Sequence, residues 1–433
     1  MQVFRNPVRA EWPALQQRSQ AASNAQVLAR AAEIFDEVAR RGDEALRAYA
    51  TQLDGAPHLP ELQVSAEELA AGAAQVPAAL QAAIRQARRN IETFHAAQRP
   101  LEVEATVETM PGVRCWRRAV PVQRVGLYIP GGSAPLFSTL LMLGVPAKLA
   151  GCREIVLCTP PGRGDGRLAP AILFAAQELG LSTIIKAGGA QAVAALTVGT
   201  ATVPAVDKIF GPGNRYVTAA KQLAAQRGVA IDMPAGPSEV LVLADAQANP
   251  SFVAADLLSQ AEHGPDSQVV LLTDSEALLQ ATLAELARQL PLLPRADIAR
   301  QALAESRALL LPDPATMLAF SNDYAPEHLI LAVADPEVLA AGVVNAGSVF
   351  MGNLTPEAVG DYASGTNHTL PTGGYARSYS GVSLDSFYKK ITFQQLTPAG
   401  LTALAPVVEA MAEAEGLRAH AQAVALRRQA ASG

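Results

Sequence analysis

Several features that would assign this chain to a special class are scarce in it. Only three cysteines occur in 433 residues, Cys115, Cys152 and Cys158. They are too few for a disulfide framework, and none has the C-x-x-C spacing of a zinc ribbon. There is no Lys/Arg-rich run and no interleaving of arginine with aromatics, and the formal net charge is -6. Nucleic acid is therefore not an expected partner. The opening "MQVFRNPVRAEWPALQQRS" has no apolar stretch of the secretory-signal kind. The most apolar window, "APLFSTLLMLGVPAKLAG", contains Gly144, Pro146 and Lys148 and reads as a buried helix, not a membrane span. These absences lead to the expectation of a cytoplasmic protein with no membrane segment.

Apolar residues are plentiful. Half the residues are hydrophobic and 17% are charged, ample for large buried cores. The length suggests about three domains. The first hundred residues look helical, and Ser65 followed three positions later by Glu68 is a capping-box start. A β-rich stretch follows, with Pro111-Gly112 as a hairpin turn. From about residue 125, short apolar runs alternate with helical segments: "RVGLYI", "EIVLCT", "STIIKA", "VDKIF", "EVLVLA", "QVVLLT", "HLILAV" and "GSVFMG". Strands buried on both faces read this way, and their alternation with helices implies parallel sheets. Eight runs are many for one sheet, and "AIDMPAGPSE" interrupts them.

The expected fold class is therefore α/β. It comprises two Rossmann-like parallel-sheet domains without the G-x-G-x-x-G fingerprint, a helical N-terminal region and a helical C-terminal tail. The segments are 1–124, a helical front end and β-hairpin packing with the second sheet domain; 125–235 and 236–380, the two α/β domains; and 381–433, the tail.

Ligands of open α/β sheets sit beyond the carboxyl ends of the strands. Gly188-Gly189-Ala190-Gln191 and Gly211-Pro212-Gly213-Asn214 fall there, each after an apolar run. Asn214 would cap the next helix, whose free N–H groups favour a phosphate. Taken alone, such glycines equally well make tight βα turns.

Six histidines occur, and four have polar company: His263 in "SQAEHG", His328 in "APEHL", His368 in "GTNHTLPTGG" and His420 in "GLRAHA". Gln260 and His263 are one helical turn apart, so their tips can meet at one point. A pair like this can nucleate a metal site completed from other segments, and "VGDYASGTNH" offers Asp361. Pro326 steers Ala325 away from helical geometry, which places Glu327-His328 on an extended turn. A carboxylate and an imidazole there can divide general-base and proton-shuttle work. Two adjacent residues are in themselves equally compatible with a turn glutamate beside an edge histidine.

Quoted together, "VGLYIPGGSAPLFSTLLMLGVPAKLAG", "GGAQAVAALTVGT", "IFGPGNRYVTAAK", "DMPAGPSEVLVLAD", "LLSQAEHGPDSQ", "APEHL" and "NAGSVFMGNLTPEAVGDYASGTNHTLPTGGYARSYSGVSLDSFYKK" resemble the histidinol dehydrogenase family, in order and over nearly the whole chain. The resemblance implies a zinc-dependent homodimer with shared active sites that oxidises L-histidinol to L-histidine through L-histidinal with two NAD+. By position it implies Gln260, His263, Asp361 and His420 as zinc ligands and Glu327 and His328 as the catalytic pair. It implies Ser238, His368 and Glu415, with His328 and the ligands, as substrate contacts. Tyr128, Gln191 and Asn214 are implied as NAD contacts, which would make 125–235 the nucleotide-binding domain and 236–380 the metal and catalytic domain. Glu415 and His420 would serve the partner subunit's site.

Other readings compete. A relative acting on another polar alcohol, such as a sulfonated diol, shares most of these residues. A zinc hydrolase would use metal, Glu and His but leave Tyr128, Gln191 and Asn214 without a duty. A cysteine thiohemiacetal route would need Cys158, which ends an apolar run and reads as a small buried hydrophobe. A metal-stabilised scaffold would leave Glu327-His328 idle. An N/O ligand set also accepts manganese or cobalt.

Overall fold

The computed structural model describes residues 1–18, 24–131 and 135–432. Chain order gives β1 (Gln2–Arg5), then the hairpin β2 (Val107–Met110) and β3 (Val113–Pro121). β4 (Arg124–Tyr128), β5 (Glu154–Thr159), β6 (Thr183–Lys186), β7 (Lys208–Phe210) and β8 (Ala230–Ile231) form one parallel sheet in the order β6-β5-β4-β7-β8. β9 (Glu239–Ala244), β10 (Gln268–Thr273), β11 (Arg307–Leu310), β12 (His328–Ala332) and β13 (Ser348–Met351) join β1 in a second, β1-β11-β10-β9-β12-β13, also parallel. β14 (Tyr388–Leu396) pairs antiparallel with β3, opposite β2. All eight apolar runs are strands, so the expected two parallel sheets are both present.

The six-stranded sheet shows why its strands read as unbroken apolar runs. β9, β10 and β12 are buried at every position. Val240, Val242, Val269 and Leu271 point to a layer with Leu257 and Ala254 of the helix Pro250–Ala261. Their neighbours Leu241, Leu243, Val270 and Leu272 point to the opposite layer, with Met317 and Phe320 of the helix Pro314–Tyr324. Side chains alternate across a strand, and both faces here are dry. The five-stranded sheet is covered on one face by the helices Asn24–Arg41, Gly189–Val198 and Arg215–Gln226, which share one core cluster. The helix Phe137–Ala150 is almost wholly buried, in agreement with the reading of that window. Ser65 caps the helix Ala66–Ala73 by accepting from Glu68 N–H, and Pro111-Gly112 makes the hairpin turn between β2 and β3. Gly112 has φ 81, which suits glycine there.

Two compact units result. One holds Met1–Gln98 and Gln123–Ser386, with both parallel sheets; the other holds Arg99–Val122 and Phe387–Gly433. The second consists of the three-stranded sheet and the paired helices Pro398–Ala414 and Arg418–Ser432. The tail is helical from Pro398 onward, but a nine-residue strand, β14, precedes its helices. Its "YKKITFQQL" is exposed at most positions, so no apolar run announced it. Among the described residues no helix is long and apolar enough to cross a membrane.

Candidate active site

The helix Pro314–Tyr324 ends at Ala325, which adopts the left-handed region (φ 54, ψ 68). That conformation costs a non-glycine residue on the order of 1–2 kcal/mol. Pro326 follows, as the sequence anticipated, and the chain turns straight into Glu327 and the first residue of β12, His328. Strain stored directly before such a pair is a mark of functional backbone.

His328 Nδ1 lies 3.1 Å from the carbonyl oxygen of Glu239, which can only accept, so Nδ1 carries the proton. Nε2 is then left buried without a hydrogen bond, 3.5 Å from Asp361 Oδ1. Glu327 Oε2 accepts from Glu239 N–H at 2.8 Å. One residue of β9, Glu239, therefore orients both members of the pair through its N–H and its carbonyl. All this occurs at the amino ends of β9 and β12, the edge opposite to the one expected to hold ligands in an open α/β sheet.

The helix Pro250–Ala261 delivers Gln260 to the same edge, and His263 sits just past its end. Their tips still meet. With the Gln260 amide nitrogen toward Glu357, it donates to that carboxylate at 2.6 and 3.3 Å while its oxygen accepts from His263 Nδ1 at 3.3 Å. Glu357 and Asp361 lie one turn apart on the short helix Glu357–Tyr362 and therefore share a face. Ligand atoms of His328, Glu357 and Asp361 all lie within 4.8 Å of one another.

The electrostatics are those of a carboxylate cluster closed away from water. Burial pushes Glu327 and Glu357 up to about 8. Burial opposes charge on His328, but Glu327, Glu357 and Asp361 together outweigh it and raise the imidazole to about 10. Asp361 stays below the usual carboxylate range despite its burial, because His328 stands beside it. Surrounding protein that displaces water lowers His263, although part of its side chain stays exposed, and a neutral ring is able to ligate. Glu327, Glu357 and His328 hold protons that a divalent cation would displace. The orphaned His328 Nε2, the neutral His263 and the amide oxygen of Gln260 make this N/O set fit for a metal ion.

At the carboxyl ends of the five-stranded sheet lies a cleft of about 600 Å³ lined by Tyr128, Gln191 and Asn214, among others. Asn214 caps the helix Arg215–Gln226 by accepting from Tyr216 and Val217 N–H, as expected. Tyr128 Oη accepts from Gly189 N–H at 3.1 Å. The volume and the loops suit a nucleotide-sized ligand.

Residues 16–428 match the family described as Histidinol dehydrogenase. A Histidinol dehydrogenase of Bacteroides thetaiotaomicron is 55% identical over 99% of both chains. One from Xylella fastidiosa is 58% identical over 92% of this chain and 91% of its own. The crystal structure of Histidinol dehydrogenase from Elizabethkingia anophelis superposes with a TM-score of 0.94 at 54% identity, over 100% of this chain and 99% of that one.

The chain belongs to the histidinol dehydrogenase family.

For a member of that family, the structure brings Gln260, His263, Glu327, His328 and Asp361 to one edge. Ser238 is half-buried just before Glu239. His368 has both ring nitrogens engaged: Nδ1 donates to the Asp361 carbonyl at 2.8 Å, and Nε2 meets Thr139 Oγ1 at 3.0 Å. That arrangement supports the backbone of Asp361. Glu415 and His420 belong to the second unit and are exposed on it. Cys158 is wholly buried, and burial pushes its thiol far above its ordinary range, which removes the thiohemiacetal route.

The sequence reading did not single out Glu357. Its signal was available, because Glu357 and Asp361 are spaced i, i+4 within "PEAVGD". Arg18 and Glu239 were also missed. Arg18 Nη2 donates to Glu239 Oε2 at 3.0 Å, and its guanidinium lies 4.0 Å over the Tyr324 ring. Arg18 balances the charge of Glu239, whose backbone N–H and carbonyl hold Glu327 and His328.

Proposed function

We propose that this member of the family oxidises L-histidinol to L-histidine in two steps, through L-histidinal, with zinc at the cluster and two NAD+ consumed. The first step removes a hydride from the alcohol carbon and a proton from its oxygen. The second adds water to the aldehyde and removes a hydride from the gem-diol, so two NADH and the carboxylate result. The buried pair, Glu327 and His328 held by the backbone of Glu239, carries the reading.

Gln260, His263 and Asp361 would hold the ion, with His420 completing the set from the partner of a homodimer. When bound, the ion supplies orientation and charge stabilisation for a substrate that offers an imidazole and an amine. His328, whose Nε2 faces the cluster, would take the alcohol proton in the singly protonated form of its ring, the form that a cation among the same carboxylates would favour. Glu327, held as a carboxyl that titrates near neutral pH, serves as base for the water that hydrates the aldehyde. Ser238, His368 and Glu415 contact or frame the substrate, and Tyr128, Gln191 and Asn214 the NAD+. Enclosure keeps the aldehyde from escaping between steps. The setting is the cytoplasm.

The deciding experiment supplies purified protein with NAD+ and L-histidinol and counts reduced nicotinamides per histidine formed. Two are expected. A count of one, or no turnover before and after zinc loading, overturns the proposal. Chelation should abolish turnover and zinc should restore it; full activity in metal-free protein overturns the metal assignment.

A further inference from the structure

The nucleotide cleft contains a carboxylate that the mechanism leaves unused. Asp54 lines the cleft with Tyr128, Gln191 and Asn214. It arrives from far upstream, as the last residue of a single π-helical turn, Ala50–Asp54. Such turns are rare and concentrate at functional sites. Gly55 follows at φ 71 and reverses the chain.

The carboxylate lies against the glycine turn that opens the helix Gly189–Val198. It accepts a backbone hydrogen bond from Gly188, and Gln191 Nε2 donates to Oδ2 at 3.3 Å. A Cβ on Gly188 would sit 2.7 Å from Asp54 Oδ1, so glycine is what admits the acid. The next N–H, that of Gly189, already donates to Tyr128. The positive end of this helix thus carries its own anion and has little to offer a phosphate. The helix Arg215–Gln226, capped only by Asn214, is the better phosphate end.

Two buried oxygens here lack partners. Gln191 Oε1 and Thr159 Oγ1 make no hydrogen bond, and both residues line the cleft. Gln191 is 1% exposed. Asp54 and Gln191 therefore form a subsite of acceptors that calls for a ligand with two adjacent donors. A ribose cis-diol has two such hydroxyls. A 2′-phosphate replaces one donor by acceptor oxygens and negative charge, which this subsite would repel.

We propose that Asp54, with Gln191, reads a ribose diol of the cofactor and rejects a 2′-phosphate, so that it sets the preference for NAD+ over NADP+. This rests on the cleft being the nucleotide site. Arg30 and Arg163 also line the cleft. Removal of the Asp54 charge leaves those cations to receive a phosphate.

The test compares kcat/KM for NAD+ and NADP+ in the wild type, Asp54→Asn and Tyr216→Ala. Tyr216 lines the same cleft without belonging to the acceptor pair. Asp54→Asn should raise KM for NAD+ about tenfold with kcat nearly unchanged, and should shift the NADP+/NAD+ ratio about 100-fold towards NADP+. A ratio within about threefold of wild type, while Tyr216→Ala raises KM for NAD+, overturns the Asp54 assignment and leaves the cleft reading intact. If neither variant moves KM for NAD+ in active enzyme, the cleft is not the nucleotide site. Should Asp54→Asn fail to fold, competition on the wild type decides. ADP-ribose should inhibit at least about tenfold better than its 2′-phosphate, and equal inhibition overturns the proposal.

Discussion

At the scale of single residues, the division of labour between Glu327 and His328 is the first thing to probe. Glu327→Gln keeps an oxygen to accept from Glu239 N–H but cannot take a proton. It should leave the first hydride transfer within about threefold while slowing histidinal oxidation by about 10²–10⁴. His328→Asn should impair both oxidations. Rapid mixing with each substrate separates the steps, and wild-type histidinal oxidation by Glu327→Gln would refute the assignment. Asp54 gives a stability prediction with a definite sign. Burial raises its folded carboxyl from 3.8 to about 6. The folded state then binds more protons than the unfolded state across that window, so the group's stabilising contribution is complete below 3.8 and is lost as pH rises through about 6. Asp54→Asn should therefore be more stable than wild type at pH 8 by about 1–3 kcal/mol, with the gap closing near pH 4. Denaturant melts at both pH values check it. A site that weakens the fold is retained for what it does. That Gln260 and His263 meet was legible from their i, i+3 spacing, whereas Asp361 was singled out by the polar stretch "VGDYASGTNH" and by the resemblance. Arg18–Glu239 was not, because its members lie 221 positions apart and nothing local in either stretch marks the pairing.

At the scale of elements, the glycine loop 211–214 is held from behind. Gly211 N–H donates to Asp232 Oδ2 at 2.8 Å, and Lys221 Nζ donates to the Gly211 carbonyl at 2.9 Å. Lys221 and Asp232 are themselves a buried ion pair. Lys221→Met would leave Asp232 buried and uncompensated, a loss of about 3–5 kcal/mol, and Lys221→Met with Asp232→Asn should recover part of it. Thermal melts read the first effect, and KM for NAD+ should rise as the loop loosens; an unchanged KM would show that the loop does not touch the cofactor. The same scale shows what a sequence displays of a sheet. Strands dry on both faces, such as β9 and β10, stand out as apolar runs. β1 and β14 went unread because exposed positions break up any apolar run, and β8 because it has only two residues; β11 does lie in an apolar stretch, "ALLL", that was passed over.

At the scale of the whole molecule, the second unit exposes Val407 and Met411 on one helix, Leu417 in the turn that follows and Leu426 on the next helix. Apolar groups gathered in this way usually meet another surface. A homodimer that borrows His420 and Glu415 across its interface makes a sharp prediction. Inactive His420→Ala and inactive His263→Ala subunits, mixed and allowed to exchange, should recover about a quarter of full activity, since half the dimers then hold one intact site. Persistent inactivity after proven exchange would mean that each chain completes its own site.

β1 takes its place beside β11, whose residues come only at 307–310. Every strand of the five-stranded sheet lies between them, within 124–231. On the ribosome, that sheet can close while the other still has an empty outer seat. The first strand made is thus among the last to be paired, a tether left waiting through most of translation. Refolding should accordingly proceed in two phases, the slower one tracking protection of the β1 and β11 amides.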